Sequence, residues 1–174
     1  MPNEVVDRDL GWSNLVKSLG DLGSPGVFVG LLQDKGGEMT EEGITLAGYA
    51  AVNEFGSEDG HVPERSFLRA TMDEQKAVYE GELATIAGAT VDAIVKSTGT
   101  GAGIAVLERG LGRLGLRAVR DVQDKIRAGG TPLIPNAPTT LARKYPANHP
   151  LIHTGRLRQA ITFKVDMAGV RTLS

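Results

Sequence analysis

Apolar residues recur along the second half of the chain at helical spacing. Phe67, Leu68, Met72, Tyr79, Leu83, Ile86, Ala87, Val91, Ile94 and Val95 follow steps of three, four and seven. This pattern predicts an amphipathic helix about 40 Å long at 1.5 Å per residue. Glycines at 99, 101 and 103 interrupt it, because glycine weakens a helix interior, and predict a hinge near 97–103. Ile104, Leu107, Leu111, Leu114, Ala118, Val122 and Ile126 then restart the same spacing. They predict a second long helix, closed by Gly129, Gly130 and Pro132, that packs on the first as an antiparallel pair or continues it as a broken arm. Gly110, Gly112 and Gly115 interrupt this second stripe and mark close packing.

Shorter patterns flank the pair. Leu10, Leu15, Val16 and Leu19 are spaced for a short helix over 7–20, stopped by Gly20, Gly23 and Pro25. Val27 to Leu32 is rich in branched and aromatic residues between turn signals and predicts a strand. The polar, glycine-bearing run 33–43 predicts a mobile loop or hairpin. Leu46, Tyr49, Ala50 and Asn53 predict a helix from Thr45 to Phe55, with Thr45 or Thr40 as cap and Gly56 as terminator, followed by a second mobile loop over 56–62. The prolines of 131–150 predict an extended belt. Thr154 is placed to cap a helical turn running to Ile161, Ile161–Val165 alternates as a strand, and Val170–Leu173 is a candidate edge strand. The predicted class is α+β: one domain over 1–174, with a small antiparallel sheet packed by two long helices and crossed by a Pro-rich extended segment.

Composition narrows the chemistry. A hydrophobic fraction of 41% in 174 residues is enough for a core, and aromatics at 5% leave few platforms for stacking single-stranded bases. A net charge of -2 gives no overall basic footprint for nucleic acid. The absence of cysteine removes disulfides, thiolate nucleophiles and cysteine metal sites. No apolar run approaches the ~18 residues of a membrane span, and the acidic start lacks a signal-peptide pattern, so a soluble protein is expected.

No catalytic constellation is legible. The glycine-rich Thr98–Gly103 invites a phosphate-loop reading, and hence a small nucleotide-binding enzyme, but it lacks GxxxxGK[ST] and a preceding buried strand. His61, His149 and His153 carry no HExxH or carboxylate pattern for zinc, and the pairs Glu41-Glu42, Glu58-Asp59 and Asp73-Glu74 suit solvated faces or helix starts. No cofactor, metal or catalytic residue is assigned. Arg109, Arg113, Arg117 and Arg120 are three or four apart and form a stripe on the second long helix, suited to a lumen, an acidic subunit face or a phosphate backbone.

Two motifs remain. Asn53-Glu54-Phe55-Gly56, a short polar loop and Val62-Pro63-Glu64-Arg65-Ser66-Phe67-Leu68-Arg69 precede the long helices, and Pro150-Leu151-Ile152-His153-Thr154-Gly155-Arg156-Leu157-Arg158-Gln159-Ala160-Ile161 follows them. Their order and spacing resemble the neck and tail-completion proteins of tailed bacteriophages, the virion morphogenesis group that includes head-tail joining and minor tail proteins. Ser66 stands where that family usually has a second proline, Glu64 where it has a small residue, and His153 where it has an acid.

The resemblance implies a non-enzymatic virion protein that forms a homo-oligomeric ring, a hexamer, at the head-tail joint. Such a ring would contact head-connector and tail-tube or terminator proteins and surround genomic DNA without reading its sequence. A head-side connector or tail-terminator role in the same neck is the alternative. On this reading Glu54, Phe55, Gly56, Arg65, Phe67, Arg69, Thr154, Gly155 and Arg156 are the expected subunit or partner contacts. Ring closure needs two different complementary faces, which places the 33–43 loop and the 56–69 elbow at such faces. Arg65 and Arg69 fall at a helix N-terminus, where cations need carboxylates such as Glu54, Glu58 or Asp59 to offset them.

Overall fold

The computed structural model describes residues 16–17, 19–20, 22–41, 43–97, 100–144, 148–152 and 154–168. Strand β1 (Gly26–Leu31) is followed by a one-turn helix α1 (Gln33–Gly36), then α2 (Leu46–Phe55) and the long α3 (Leu68–Ser97) and α4 (Thr100–Ala128). A short α5 (Pro138–Lys144), a turn α6 (Arg156–Ala160) and strand β2 (Ile161–Asp166) complete the described chain. The fold is α+β: two long helices packed against a two-stranded antiparallel sheet.

α3 and α4 lie antiparallel. Cross-helix pairs run in opposite senses along the two chains, from Glu74 with Lys125, through Tyr79 with Asp121 and Glu82 with Arg117, to Ile86 beside Gly110 and Ile94 beside Gly103. Glycine makes this approach possible. A Cβ at Gly110 would fall 2.7 Å from Ile86 Cγ2, and one at Gly103 would fall 2.4 Å from Ile94 Cγ1. Gly115 serves the other layer, since its missing Cβ leaves room for the Phe163 ring of β2, whose Cδ2 would otherwise lie 2.2 Å away. Gly112 has no atom within 4 Å of a built Cβ and is not part of the seam.

The sheet aligns Gly26 with Asp166 and Leu31 with Ile161, so that Val29, Leu31, Ile161 and Phe163 share the face turned to α4. The core lies where sheet, α2 and the bases of the long helices meet. Leu46, Ala50, Phe67, Val122, Ile126, Leu151, Leu157, Ala160 and Ile161 form one buried cluster there. The outer part of the hairpin has only its own seam. Of the residues in the predicted amphipathic stripe of α3, Ile94 is buried in that seam, whereas Leu83, 43% exposed, and Val95, 57% exposed, lie beside it.

Several expectations are corrected. The 33–43 segment contains α1 and is tied by a bridge between Met39 and Thr45, because Thr40 N–H donates to the Ile44 carbonyl and closes a turn. Of the segment 97–103 where a hinge was predicted, Ser97 ends α3 and Thr100, Gly101 and Gly103 belong to α4, while residues 98–99 lie outside the described ones. The belt is not extended throughout, because α5 starts on Pro138, whose fixed φ suits a first helical turn. Thr154 precedes the cap position of α6. Gly155 occupies the cap position with φ 77, and Thr154, one residue earlier, accepts the Arg156 N–H on its Oγ1 at 3.4 Å. Of the predicted N-terminal helix, Val16, Lys17, Leu19 and Gly20 are helical and the rest falls outside the described residues, as do His153 and the Val170–Leu173 strand.

The two glycine environments predict opposite responses. Gly115→Ala should destabilise the protein by about 1–3 kcal/mol through overpacking on Phe163. Gly112→Ala should stabilise it by up to about 1 kcal/mol through helix propensity. Denaturant midpoints of the two variants against the parent check both signs.

Candidate functional site

The elbow between α2 and α3 is built around a buried carboxylate. Thr45 starts α2 by accepting the Gly48 N–H at 3.1 Å, and Gly56 ends it with φ 80. A Cβ at Gly56 would press against the Glu64 amide nitrogen at 3.1 Å and the Val62 carbonyl at 3.2 Å, so glycine is required both for the left-handed turn and for the space. This termination leaves Glu54 in the last turn of α2, aimed at the start of α3. Its Oε2 accepts the Phe67 N–H at 2.8 Å and the Leu68 N–H at 2.9 Å, and its Oε1 accepts the Arg69 N–H at 2.9 Å and the Ser66 hydroxyl at 2.7 Å.

One side chain thus satisfies three free amides of a helix N-terminus from twelve or more residues away, and places negative charge at the positive end of the dipole. Burial pushes the Glu54 carboxyl up, but the hydrogen bonds from Leu68, Ser66, Phe67 and Arg69 outweigh it and hold the group below its ordinary value. Ser66 completes the start of the helix by accepting the Ala70 N–H at 3.0 Å.

The same few residues tie in the belt. Ser66 and Thr131 exchange both backbone hydrogen bonds, at 2.9 and 2.8 Å. Arg65 is buried, and its guanidinium donates from Nε to the Ile134 carbonyl at 2.8 Å and from Nη2 to the Pro135 carbonyl at 3.0 Å. Desolvation draws the Arg65 pKa down from its ordinary value. Beside it, Ile44, Tyr49, Val52, Val62, Pro63 and Pro135 help to line a groove of about 460 Å³ between α2 and the belt. The 56–62 loop, expected to be mobile, is hydrogen-bonded to itself: Ser57 Oγ donates to Asp59 at 2.5 Å and accepts the Val62 N–H at 2.8 Å, and Asp59 also accepts the His61 N–H at 3.0 Å.

These placements divide the expected contact residues. Glu54, Arg65 and Phe67 point inward, with Phe67 only 2% exposed in the core, so their side chains organise the elbow. Glu54 does not offset an arginine. Arg69 pairs instead with Glu64, and its guanidinium lies 5.5 Å from the centre of the Phe55 ring. Phe55 is 65% exposed, and with Arg69 it forms the outer surface of the elbow.

The C-terminal motif meets the elbow indirectly. Leu151, Leu157, Ala160 and Ile161 share the core with Phe67, while Thr154 stays exposed. Arg156 binds Glu38 at 3.0 Å and the Met39 carbonyl at 3.2 Å, which ties α6 to the 33–43 segment. Hydrogen bonds from Lys35 and Arg156 lower the Glu38 pKa.

The arginine stripe is real as a surface but not uniform. Arg117 turns to Glu82 of α3 and approaches Asp121, whereas Arg109, Arg113 and Arg120 are exposed and make no ion pair among the described residues. Asp121 also accepts the Tyr79 hydroxyl at 2.9 Å, and burial, with Asp121 adding to it, pushes that phenol upward. Among the described residues no group of three or more acids and histidines is placed to hold a metal ion, and no helix is long and apolar enough to cross a membrane. His61 lies at the surface beside Asp59.

With this geometry in view, the chain was compared with protein-family models, curated proteins and solved structures. Nothing matches.

The cap carried by Glu54 was missed by the sequence reading because the usual N-terminal signal is local, with the capping side chain within three or four residues of the amides it serves. The available signal was a glutamate in the apolar last turn of a helix, followed by a glycine terminator.

Glu54→Ala should cost about 3 kcal/mol, since it orphans several buried donors at once. Because the folded pKa of Glu54 is depressed, its contribution is present above the unfolded-state value of about 4.3 and is lost as pH falls through the lower folded value. The stability difference between the parent and Glu54→Gln should therefore shrink below about pH 4. Chemical denaturation from pH 7 to pH 3 measures it, and a difference that stays constant would remove the carboxylate from this role.

Proposed function

We propose that this chain is a structural, non-enzymatic component of a tailed-phage virion, a subunit of a homo-oligomeric ring at the head-tail joint that surrounds the DNA path. The carrying observation is that the two sequence segments on which the family resemblance rests converge on one core: Phe67 of the elbow lies in the same buried cluster as Leu151, Leu157, Ala160 and Ile161 of the C-terminal motif. Segments so far apart in sequence are then parts of one structural unit, as a shared family signature requires.

Other features agree with an assembly role. Phe55, Leu116 and Leu133 are large apolar side chains more than half exposed, the kind of surface that a partner covers. The α3–α4 hairpin projects a long two-helix arm whose flanks are free to meet other subunits. Genomic DNA passing through such a ring needs no base-specific contacts, and head-connector and tail-tube or terminator proteins would bind its two rims.

Electron microscopy of the purified protein, together with its mass in solution, tests the proposal. Closed rings with a central channel are expected, and antibody labelling of virions should place them at the neck. A strictly monomeric protein, or label confined to the capsid shell or the distal tail, would refute the assignment.

A further inference from the structure

The exposed faces of the elbow and of α4 are complementary, and we infer that they bind each other between neighbouring copies of this chain. The inference rests on the ring reading and specifies its contact. On α4, Arg109, Arg113, Leu116 and Arg120 are spaced by four, three and four residues, which aligns them on one face of the helix. The three arginines lack carboxylate partners among the described residues, and Leu116 stands between Arg113 and Arg120 with 59% of its surface exposed. The result is a basic ridge with an apolar centre.

The elbow offers the converse. Phe55 borders an open hollow of about 770 Å³ whose walls run from Ala51 and Val52 to Ser57, Glu58 and Asp59. Glu58 makes no ion pair among the described residues, the ion-pair partner of Asp59 there is the neighbouring His61, and Glu64 shares its charge with Arg69. The rim is acidic around an apolar centre, as the ridge is basic around one.

The two faces cannot meet within one subunit. Arg117 lies level with Glu82 and Gly110 with Ile86, so Arg113 sits between them on the arm, about 24 Å along the helix axis from the start of α3. Different patches that fit one another on separate parts of the same molecule make a head-to-tail contact, the kind that closes into rings. Leu116 favours a protein over a phosphate backbone as occupant, because a leucine at the middle of the ridge gains from burial against Phe55 and nothing from a phosphate. Seating it in the hollow places Arg113 and Arg120 on either side, within reach of Glu58 and Asp59, and the opposed charges set the register.

Two variants, each defective in one face, test the contact. Arg109→Glu with Arg113→Glu spoils the ridge, and Phe55→Arg with Glu58→Arg spoils the elbow; all four side chains are exposed, and unchanged circular dichroism and melting check that the subunits stay folded. Each variant alone should self-associate at least tenfold more weakly than the parent. Mixed, the intact elbow of the first should bind the intact ridge of the second and give a one-to-one complex that grows no further. Rings that survive in both variants, or folded variants that fail to pair on mixing, would overturn this contact and leave the ring reading standing. A parent chain that stays monomeric at high concentration would overturn both. Loss of duplex DNA binding in the ridge variant with rings intact would assign the ridge to nucleic acid and likewise overturn the contact.

Discussion

The Glu54 carboxylate holds the start of α3, and most of the architecture depends on where that helix starts. Free amides at a helix N-terminus must find acceptors, and here one acid from the preceding helix supplies them. This fixes the angle between α2 and α3 and drives Phe67 into the core. It also orients Ser66 so that its backbone pairs with Thr131, just past the end of α4, at the base of the hairpin. A helix cap is ordinarily a local device. At this elbow it is a tertiary one, and the cost of burying a charge is offset because all of its partners are hydrogen-bond donors.

The second constraint is the glycine-lined seam. Gly103 and Gly110 bring α4 close to α3, and Gly115 brings the sheet close to α4. The helix gives up intrinsic propensity at these positions and gains interdigitation with Ile94, Ile86 and Phe163. The long arm is consequently stabilised along a narrow line, with ion pairs such as Arg117–Glu82 and Lys125–Glu74 flanking it. The outer flanks remain available for contacts that the chain does not make with itself.

Much of this architecture was legible in the sequence where periodicity or backbone chemistry spoke directly. The spacing of Leu107, Leu111, Leu114, Ala118, Val122 and Ile126 gave the buried face of α4, and the Val27 and Ile161 runs gave the two paired strands. Gly56 marked the end of α2 through its need for a positive φ. What stayed hidden depended on partners remote in sequence. Nothing near Arg65 announces that it binds the Ile134 and Pro135 carbonyls. The α3 stripe misled because the residues that α3 buries are Thr71, Thr90 and Ile94, while Leu83 and Val95 lie outside that face. At the candidate site, the inward role of Glu54 required the geometry.

The pairing of β1 with β2 bears on the order in which the molecule forms. The hairpin of α3 and α4 joins residues close in the chain across a short connection, so its closure is entropically inexpensive and fast. The two strands lie on opposite sides of that hairpin in sequence, so their register from Gly26 with Asp166 to Leu31 with Ile161 closes a far longer loop at a higher entropic cost. A nascent chain leaving the ribosome would carry a folded arm and an unpaired β1 until its last segment emerged. A subunit truncated before Ile161 would lose β2 and leave the α4 side of Gly115 uncovered, since Phe163 packs there.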